Sequence, residues 1–507
     1  MAVAIPLEQI PKECQIELAS LNTFTPEKTY SNSSSEYSEG PSSFSTFRTV
    51  TIDDVKYTLF PFYIGHLYIE LHPEIQFEPN TFYRTGCSYE FTGTLRHYQE
   101  AAVNKAREDL EQYGTTTLSL HAGAGKTVTA MATFAGYDGV VAFITHMQPL
   151  LIQWNETGTN FTNAKIHIFG EKGNKYTLEQ ANVWIVMEKR ISKLVEMGVA
   201  DWVRMVVVDE AHHFCTASRA QALLGFRPEY LMMVTATPER DNGLHQVMYA
   251  FAGTHQIVRP YSVTFDVYHI KTGIVPVKES NVNGDLNFAV FTQSLMYNEI
   301  RNIYITNLVE MNRGRKILIL TKEKDHVDLL ASMIESRKIS VATMRGTDKT
   351  YMDKSVLIGT VSKIGCGFDE ATFASCYGGK RLDMLIFLAT YKNAATIEQS
   401  VGRVLRSENP VIIYFNDQDG ICDNHWRVFR GWSELNGGSC YSYKVDLNEA
   451  EEDLRKYYES PVPKVRVVRN DIRLWNDKYN TSMEEYTEVR RKKTKTKKLV
   501  KANQYKV

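Results

Sequence analysis

Residues 118–127 read Leu118-Ser119-Leu120-His121-Ala122-Gly123-Ala124-Gly125-Lys126-Thr127. An apolar strand end runs into a glycine-rich turn, and the helix-compatible stretch Val128-Thr129-Ala130-Met131-Ala132 follows. Glycine lets the backbone curl so that several N–H groups face one anion. A helix beginning there offers the anion its positive end. The stretch therefore reads as a phosphate-binding loop, with Gly123, Ala124, Gly125, Lys126 and Thr127 around a nucleotide. Lys126 can reach the β- and γ-phosphates, and the Thr127 hydroxyl can hold Mg²⁺. The full pattern, G-x-x-x-x-G-K-[ST], asks for glycine where this chain has Leu120. Alone, G-x-G-K-T is equally compatible with a chance turn; the strand before it and the helix after it favour the phosphate site.

Downstream, Asp209-Glu210-Ala211-His212 follows directly on the apolar run Met205–Val208. Carboxylates at the carboxyl end of a strand lie on the ligand side of an α/β sheet. Asp209 can bind Mg²⁺, and Glu210 can orient and deprotonate an attacking water. The competing reading is a solvated acidic loop capping the next helix. His212, His213 and Cys215 invite a metal reading, but nothing nearby completes a zinc ligand set, so packing or coupling is the better reading.

Short apolar runs recur on both sides of this pair. Gly139–Ile144, Val183–Met187, Arg204–Val208 and Tyr230–Val234 form one set; Lys316–Leu320, Ser355–Gly359, Met384–Leu388 and Val411–Phe415 form another. Continuous runs of this length suit strands buried on both faces of a parallel sheet. Strand–helix alternation predicts two α/β lobes in series. Residues 257–312 read as a β-like connector and a helix around Asn298–Met311. Residues 1–90 read as a small β-rich accessory region, with extended segments at Phe47–Thr51, Tyr57–Phe60 and Leu67–Leu71 and a Ser-rich loop at 31–46. The expected domains are 1–90, 91–256, 257–430 and a C-terminal extension, 431–507.

The 507 residues leave room for about three domains. The net charge of -1 makes the whole chain no obvious polyanion binder, so a nucleic-acid surface must be local. From Arg490 onward there are nine Lys or Arg residues and no carboxylate, which reads as a basic tail: a salt-sensitive grip on nucleic acid, a localisation signal or a solvated end. The seven cysteines are dispersed without a C-x-x-C pair, which fits a reducing, intracellular compartment. No apolar run is long enough for a membrane span, and the N-terminus does not read as a signal peptide.

Taken together these motifs resemble those of superfamily 2 helicases of the DEAH-box kind, and further segments appear in that family's order. Leu95-Arg96-His97-Tyr98-Gln99 resembles the segment ahead of the phosphate loop, which implies that Gln99 reads adenine. Thr145 through Trp154 is similar to motif Ia, with His146 in place of the usual small residue. Thr235-Ala236-Thr237 resembles motif III. Gly359-Thr360 through Gly367-Phe368-Asp369 resembles motif V, and Gln399 through Arg406 resembles motif VI, Q-x-x-G-R-x-x-R. The likeness spans about residues 90–430 and is strongest to the group containing XPB and the poxvirus transcript-release helicase.

The resemblance implies two tandem RecA-like (P-loop) domains that bind ATP with Mg²⁺ between them. Lobe one would bring Gln99, Lys126, Thr127, Asp209 and Glu210. Lobe two would bring Gln399, Arg403 and Arg406 to the γ-phosphate, with Gly367 and Asp369 also at the nucleotide. It implies nucleic-acid contacts from Thr145, Gln153, Thr360 and Ser362, and coupling through His212, Thr235 and Thr237. The bland reading of Arg403 and Arg406 is an i, i+3 basic face on a surface helix. The expected activity is ATP-dependent strand movement or unwinding, on DNA first and RNA as the rival. A non-unwinding ATPase that remodels a polymerase complex is the alternative. Transcription or replication machinery is the expected partner and no membrane is. The expected location is the cytoplasm, a viral factory or virion for a viral protein, and otherwise the nucleus or nucleoid.

Overall fold

The computed structural model describes residues 2–460, apart from 27–42 and positions 53, 76, 78, 122, 237, 239–242, 260, 262, 283, 347, 365–367, 369, 390 and 392, together with the strands Glu484–Glu485 and Gln504–Lys506. The chain divides into two units, residues 1–260 with 496–507, and residues 261–495.

Unit 1 opens with a small antiparallel sheet of β1 (Ala2–Pro6), β2 (Arg48–Ile52) and β3 (Val55–Pro61), in the order β1-β3-β2. Leu67–Leu71, expected to be extended, instead ends a helix, Phe62–Leu71. The deciding pattern is the three-residue spacing of its buried positions, Phe62, Gly65 and Tyr68, which places them on one helix face. Gly65 is bare where Val3 packs: a Cβ there would lie 2.5 Å from Val3 Cβ.

The main sheet of unit 1 uses β4 (Thr115–Leu120), β5 (Val140–Thr145), β6 (Ile166–Ile168), β7 (Val183–Met187), β8 (Val203–Asp209), β9 (Tyr230–Thr235) and β10 (Gln256–Arg259). The strand Gln504–Lys506 pairs with β10, and the order continues β10-β4-β9-β8-β5-β7-β6, parallel throughout. β5 and β7 are buried along their whole lengths, as continuous apolar runs between two helical layers require, and β4 is equally buried although it reads Thr-Thr-Thr-Leu-Ser-Leu. Because β4, β9, β8 and β5 are neighbours and parallel, their carboxyl ends fall on one edge. That edge receives the phosphate loop, Thr235, Asp209 and Thr145.

Unit 2 repeats the plan with β11 (Phe265–Lys271), β12 (Ile317–Thr321), β13 (Val341–Met344), β14 (Val356–Thr360), β15 (Met384–Phe387), β16 (Val411–Asn416) and β17 (Gly438–Lys444). Their order is β13-β14-β12-β15-β16-β11-β17, all parallel, and Glu484–Glu485 adds antiparallel to β17. Each unit is thus a RecA-like α/β domain. The helix Glu299–Met311 starts at Asn298, whose side chain accepts from Arg301 N. The helix Glu451–Glu459 is tied to it by Arg455, which grips Glu299 with two nitrogens at 2.8 and 2.9 Å. Residues 438–459 therefore belong to the second domain's packing.

Candidate active site

The phosphate loop forms as its residue types demand. Gly123 and Gly125 have φ of 84° and 80°, in the left-handed region open to glycine. A Cβ on Gly125 would also lie 2.4 Å from Gln99 Nε2. The helix Lys126–Phe134 starts directly after the turn. Lys126 Nζ rests 3.2 Å from the Leu120 carbonyl, at the end of β4. Ala124 is buried, and Tyr98 donates its hydroxyl to Ala124 O at 3.0 Å. Gln99 is buried beside them. Its Oε1 accepts from Arg96 N at 2.9 Å, while Nε2 faces Ala124 O and Gly125 O at 3.4 and 3.5 Å. Gln99 thus braces the loop's carbonyls.

Asp209 closes β8. Its Oδ2 accepts from Trp154 Nε1 at 2.7 Å and its Oδ1 from Glu210 N at 3.0 Å. Burial, then the neighbouring Glu210 charge, push Asp209 up to about 7, against the pull of the Trp154 hydrogen bond and Lys126. Glu210 has φ 49°, an uncommon left-handed position for a non-glycine residue. Its Oε2 is buried and makes no hydrogen bond among the described residues, with His212 Nδ1 3.5 Å away. Strain of this kind costs about 1–3 kcal/mol and is characteristic of functional sites.

A hard divalent cation takes oxygen ligands and would offset the repulsion that raises Asp209. The Thr127 hydroxyl and the Asp209 carboxylate are the oxygens available for it, so the residues fit such an ion. Gln153 Nε2 lies 3.3 Å from that same Thr127 hydroxyl, which places Gln153 at the phosphate end of the sheet. Thr145 is fully buried, and its hydroxyl accepts from Met147 N at 3.5 Å. His212 Nδ1 lies 2.9 Å from the Thr235 hydroxyl, so these two expected coupling residues touch. Thr237 lies outside the described residues.

In unit 2 the helix Ala394–Val401 carries Gln399 and ends before Gly402; Arg403 and Arg406 sit in the turns beyond it. That arrangement removes the helical-face reading of the two arginines. Arg403 is buried and donates Nη1 to Phe368 O at 2.5 Å. Gly367 and Asp369 lie outside the described residues. Thr360 ends β14, with its hydroxyl 3.2 Å from that of Ser362. Both line a cavity of about 590 Å³ whose lining carries three lysines, Lys322, Lys324 and Lys363, against two carboxylates, Glu323 and Asp325.

Several participants were not singled out from the sequence. Trp154 was visible only as the end of a motif, although its donor holds Asp209. Arg259 lies 3.4 Å over the Tyr98 ring. His146 and His213 were each noted in the sequence, but not their contact, with tilted rings whose centroids lie 4.1 Å apart. The three lysines come from two separate segments, so no local charge run marked them.

The profile of the family described as "Type III restriction enzyme, res subunit" matches residues 92–240, the stretch that holds Gln99, the phosphate loop, Asp209 and Glu210. A protein of Invertebrate iridescent virus 6 that carries a helicase name, 161L, is 26% identical over 71% of this chain and 85% of its own length. These matches and the order of the motifs support a superfamily 2 helicase. This helicase is related to the XPB and poxvirus group, and is an ATP-hydrolysing enzyme. The DNA 3'-5' translocase XPB2 of Sulfurisphaera tokodaii is 22% identical over 52% of this chain and 60% of its own. A protein of Acanthamoeba polyphaga mimivirus named as an ATP-dependent RNA helicase is 23% identical over 76% of this chain and 73% of its own. Among the described residues, no helix of the helicase is long and apolar enough to cross a membrane.

Proposed function

We propose that this helicase is a DNA translocase that hydrolyses Mg-ATP and uses the cycle to move or separate strands, within viral transcription or replication. The single observation that carries the hydrolytic site is the convergence of Lys126, Thr127, Asp209 and Glu210 on one edge of one sheet, with Glu210 strained and its Oε2 unbonded. The relative named as a DNA translocase supports the choice of strand.

In this reading the curled loop and the amino end of the helix Lys126–Phe134 bind the phosphates. Lys126 leaves the Leu120 carbonyl for the β- and γ-phosphates. Thr127 and Asp209 hold a divalent cation, Mg²⁺, which supplies charge neutralisation at the phosphates. Glu210 accepts the proton of the attacking water through its Oε2. Arg403 and Arg406, resembling motif VI, stabilise the charge that spreads over the transferred phosphoryl group. Gln399 belongs with these arginines. Gln99 braces the loop and presents its amide toward the base, and Gly367 and Asp369 complete the nucleotide contacts.

Strand contacts fall mainly on phosphates and sugars, so they carry little sequence information. The hydroxyls of Thr360 and Ser362 beside Lys322, Lys324 and Lys363 fit such a role in unit 2. Thr145 and Gln153 are the corresponding candidates in unit 1. His212, Thr235 and Thr237 link strand and nucleotide. The basic tail from Arg490 adds salt-sensitive grip.

The test is ATP turnover and unwinding with duplexes of DNA, of RNA and of DNA–RNA hybrid. DNA should stimulate turnover most. Stimulation by RNA alone would replace this reading with the RNA one, which the mimivirus relative's name favours. No stimulation by any duplex would favour an ATPase that remodels a polymerase complex.

A further inference from the structure

Three imidazole rings form a continuous chain of tilted ring contacts in unit 1. His146 follows β5 and is half-buried. Its ring packs on His213 with centroids 4.1 Å apart and planes tilted by 39°, and His213 packs on His212 at 4.2 Å and 40°. His212 Nδ1 in turn lies 2.9 Å from the Thr235 hydroxyl and 3.5 Å from Glu210 Oε2. These contacts therefore run from the mouth of the motif Ia segment to the strained catalytic glutamate.

Apolar residues would fill this space at lower cost, because each imidazole loses water when buried. His146 Nδ1 is buried and makes no hydrogen bond among the described residues, so the face of the ring is its main engagement. Burial first, then His213 and Arg219, hold His146 down at about 4, which keeps the ring neutral near pH 7. The His213 end is fixed from behind, since Arg219 donates to the His213 carbonyl at 3.0 Å and pairs with Glu188 at 3.2 Å. Rings whose centroids lie 4.1 and 4.2 Å apart leave little room to turn independently. A rotation of His146 is therefore passed to His213 and on to His212, and close packing makes that change a step between arrangements.

We propose that His146 and His213 are positioning residues: occupancy of the segment 145–148 by a nucleic-acid strand is relayed through the three rings to the orientation of Glu210. This rests on the nucleic-acid-stimulated ATPase proposed above. The relay makes no chemical step of its own. It changes how often Glu210 faces the attacking water, so it acts on stimulated turnover and not on strand affinity.

The experiment compares ATP turnover with and without saturating DNA in the full chain and in His146→Ala, His146→Gln and His146→Phe. In His146→Ala and His146→Gln the ratio of stimulated to unstimulated turnover should fall about tenfold, within the usual range of coupling factors. Saturating DNA keeps any change in strand affinity out of that ratio. His146→Phe keeps a ring face and should restore most of the ratio. A residue that only fills space would lower both turnovers together and leave the ratio intact, and that result overturns the relay. So does a Phe variant as uncoupled as Ala or Gln. If His146→Ala does not fold, Gln against Phe decides the matter. A wild-type enzyme that no nucleic acid stimulates would sink the parent reading, whereas a stimulated wild type with an unchanged ratio in the variants sinks the relay alone.

Discussion

At Asp209 the competing terms can be ranked. Burial and Glu210 raise its affinity for a proton, and the Trp154 donor and Lys126 oppose them. A hydrogen bond to a charged group contributes about 1.5–3 kcal/mol, so Trp154→Phe should lower kcat about tenfold to hundredfold while leaving the fold intact. Steady-state kinetics with a melting curve checks this; unchanged kcat would remove Trp154 from the site. The pH dependence has a definite sign. A carboxyl raised to about 7 is protonated below that pH and cannot serve a cation. Binding of the metal–nucleotide complex should strengthen as pH rises through about 7 and weaken by roughly tenfold per unit well below it. In Asp209→Asn that dependence should disappear. Titrations of a fluorescent nucleotide at several pH values read it directly. The places of Lys126, Asp209 and Glu210 at one sheet edge were legible because strand context makes short motifs specific. Trp154 was not, since nothing in a Gln-Trp pair announces a donor to a carboxylate in a distant segment.

At the scale of elements, a buried ion pair fixes the helix Glu299–Met311 to the end of β16. Arg301 and Asp417 are fully buried and meet through two hydrogen bonds of 3.1 Å, and Thr272 donates to the same carboxylate at 2.7 Å. Removing one partner strands a buried charge. Arg301→Met should therefore cost about 3–5 kcal/mol, and replacing Asp417 by Leu as well should recover much of it. Chemical denaturation of the single and double variants gives the comparison; equal stability of Arg301→Met and wild type would contradict it. The strands β5, β7, β8, β9, β12, β14, β15 and β16 were legible because burial on both faces leaves apolar runs. β11 and β17 were not, because Phe265–Lys271 and Gly438–Lys444 mix Tyr, Ser, His and Asp into positions that burial and stacking satisfy. His269, for example, stacks 3.8 Å from Trp426 and lies 2.9 Å from the Ser442 hydroxyl. Leu67–Leu71 misled in the other direction, because a short aromatic and β-branched run suits a strand as readily as a buried helix face.

For the molecule as a whole, two RecA-like sheets in one chain supply one hydrolytic edge and one lysine- and hydroxyl-lined cavity. Substituting Lys324 and Lys363 by Glu should weaken DNA binding about equally for all sequences and reduce the salt dependence of binding, because phosphate contacts carry the affinity. Turnover without DNA reads the nucleotide site separately and should stay within about twofold in that variant if the cavity serves only the strand. Sequence reading reached the cavity only through Thr360 and Ser362, because Lys322 and Lys324 lie in another segment. The most direct measurement is ATP hydrolysis by Glu210→Gln with and without DNA, alongside nucleotide binding by the same protein. The proposed role of Glu210 predicts intact nucleotide binding with turnover reduced at least about a thousandfold under both conditions. Wild-type turnover in Glu210→Gln would contradict it.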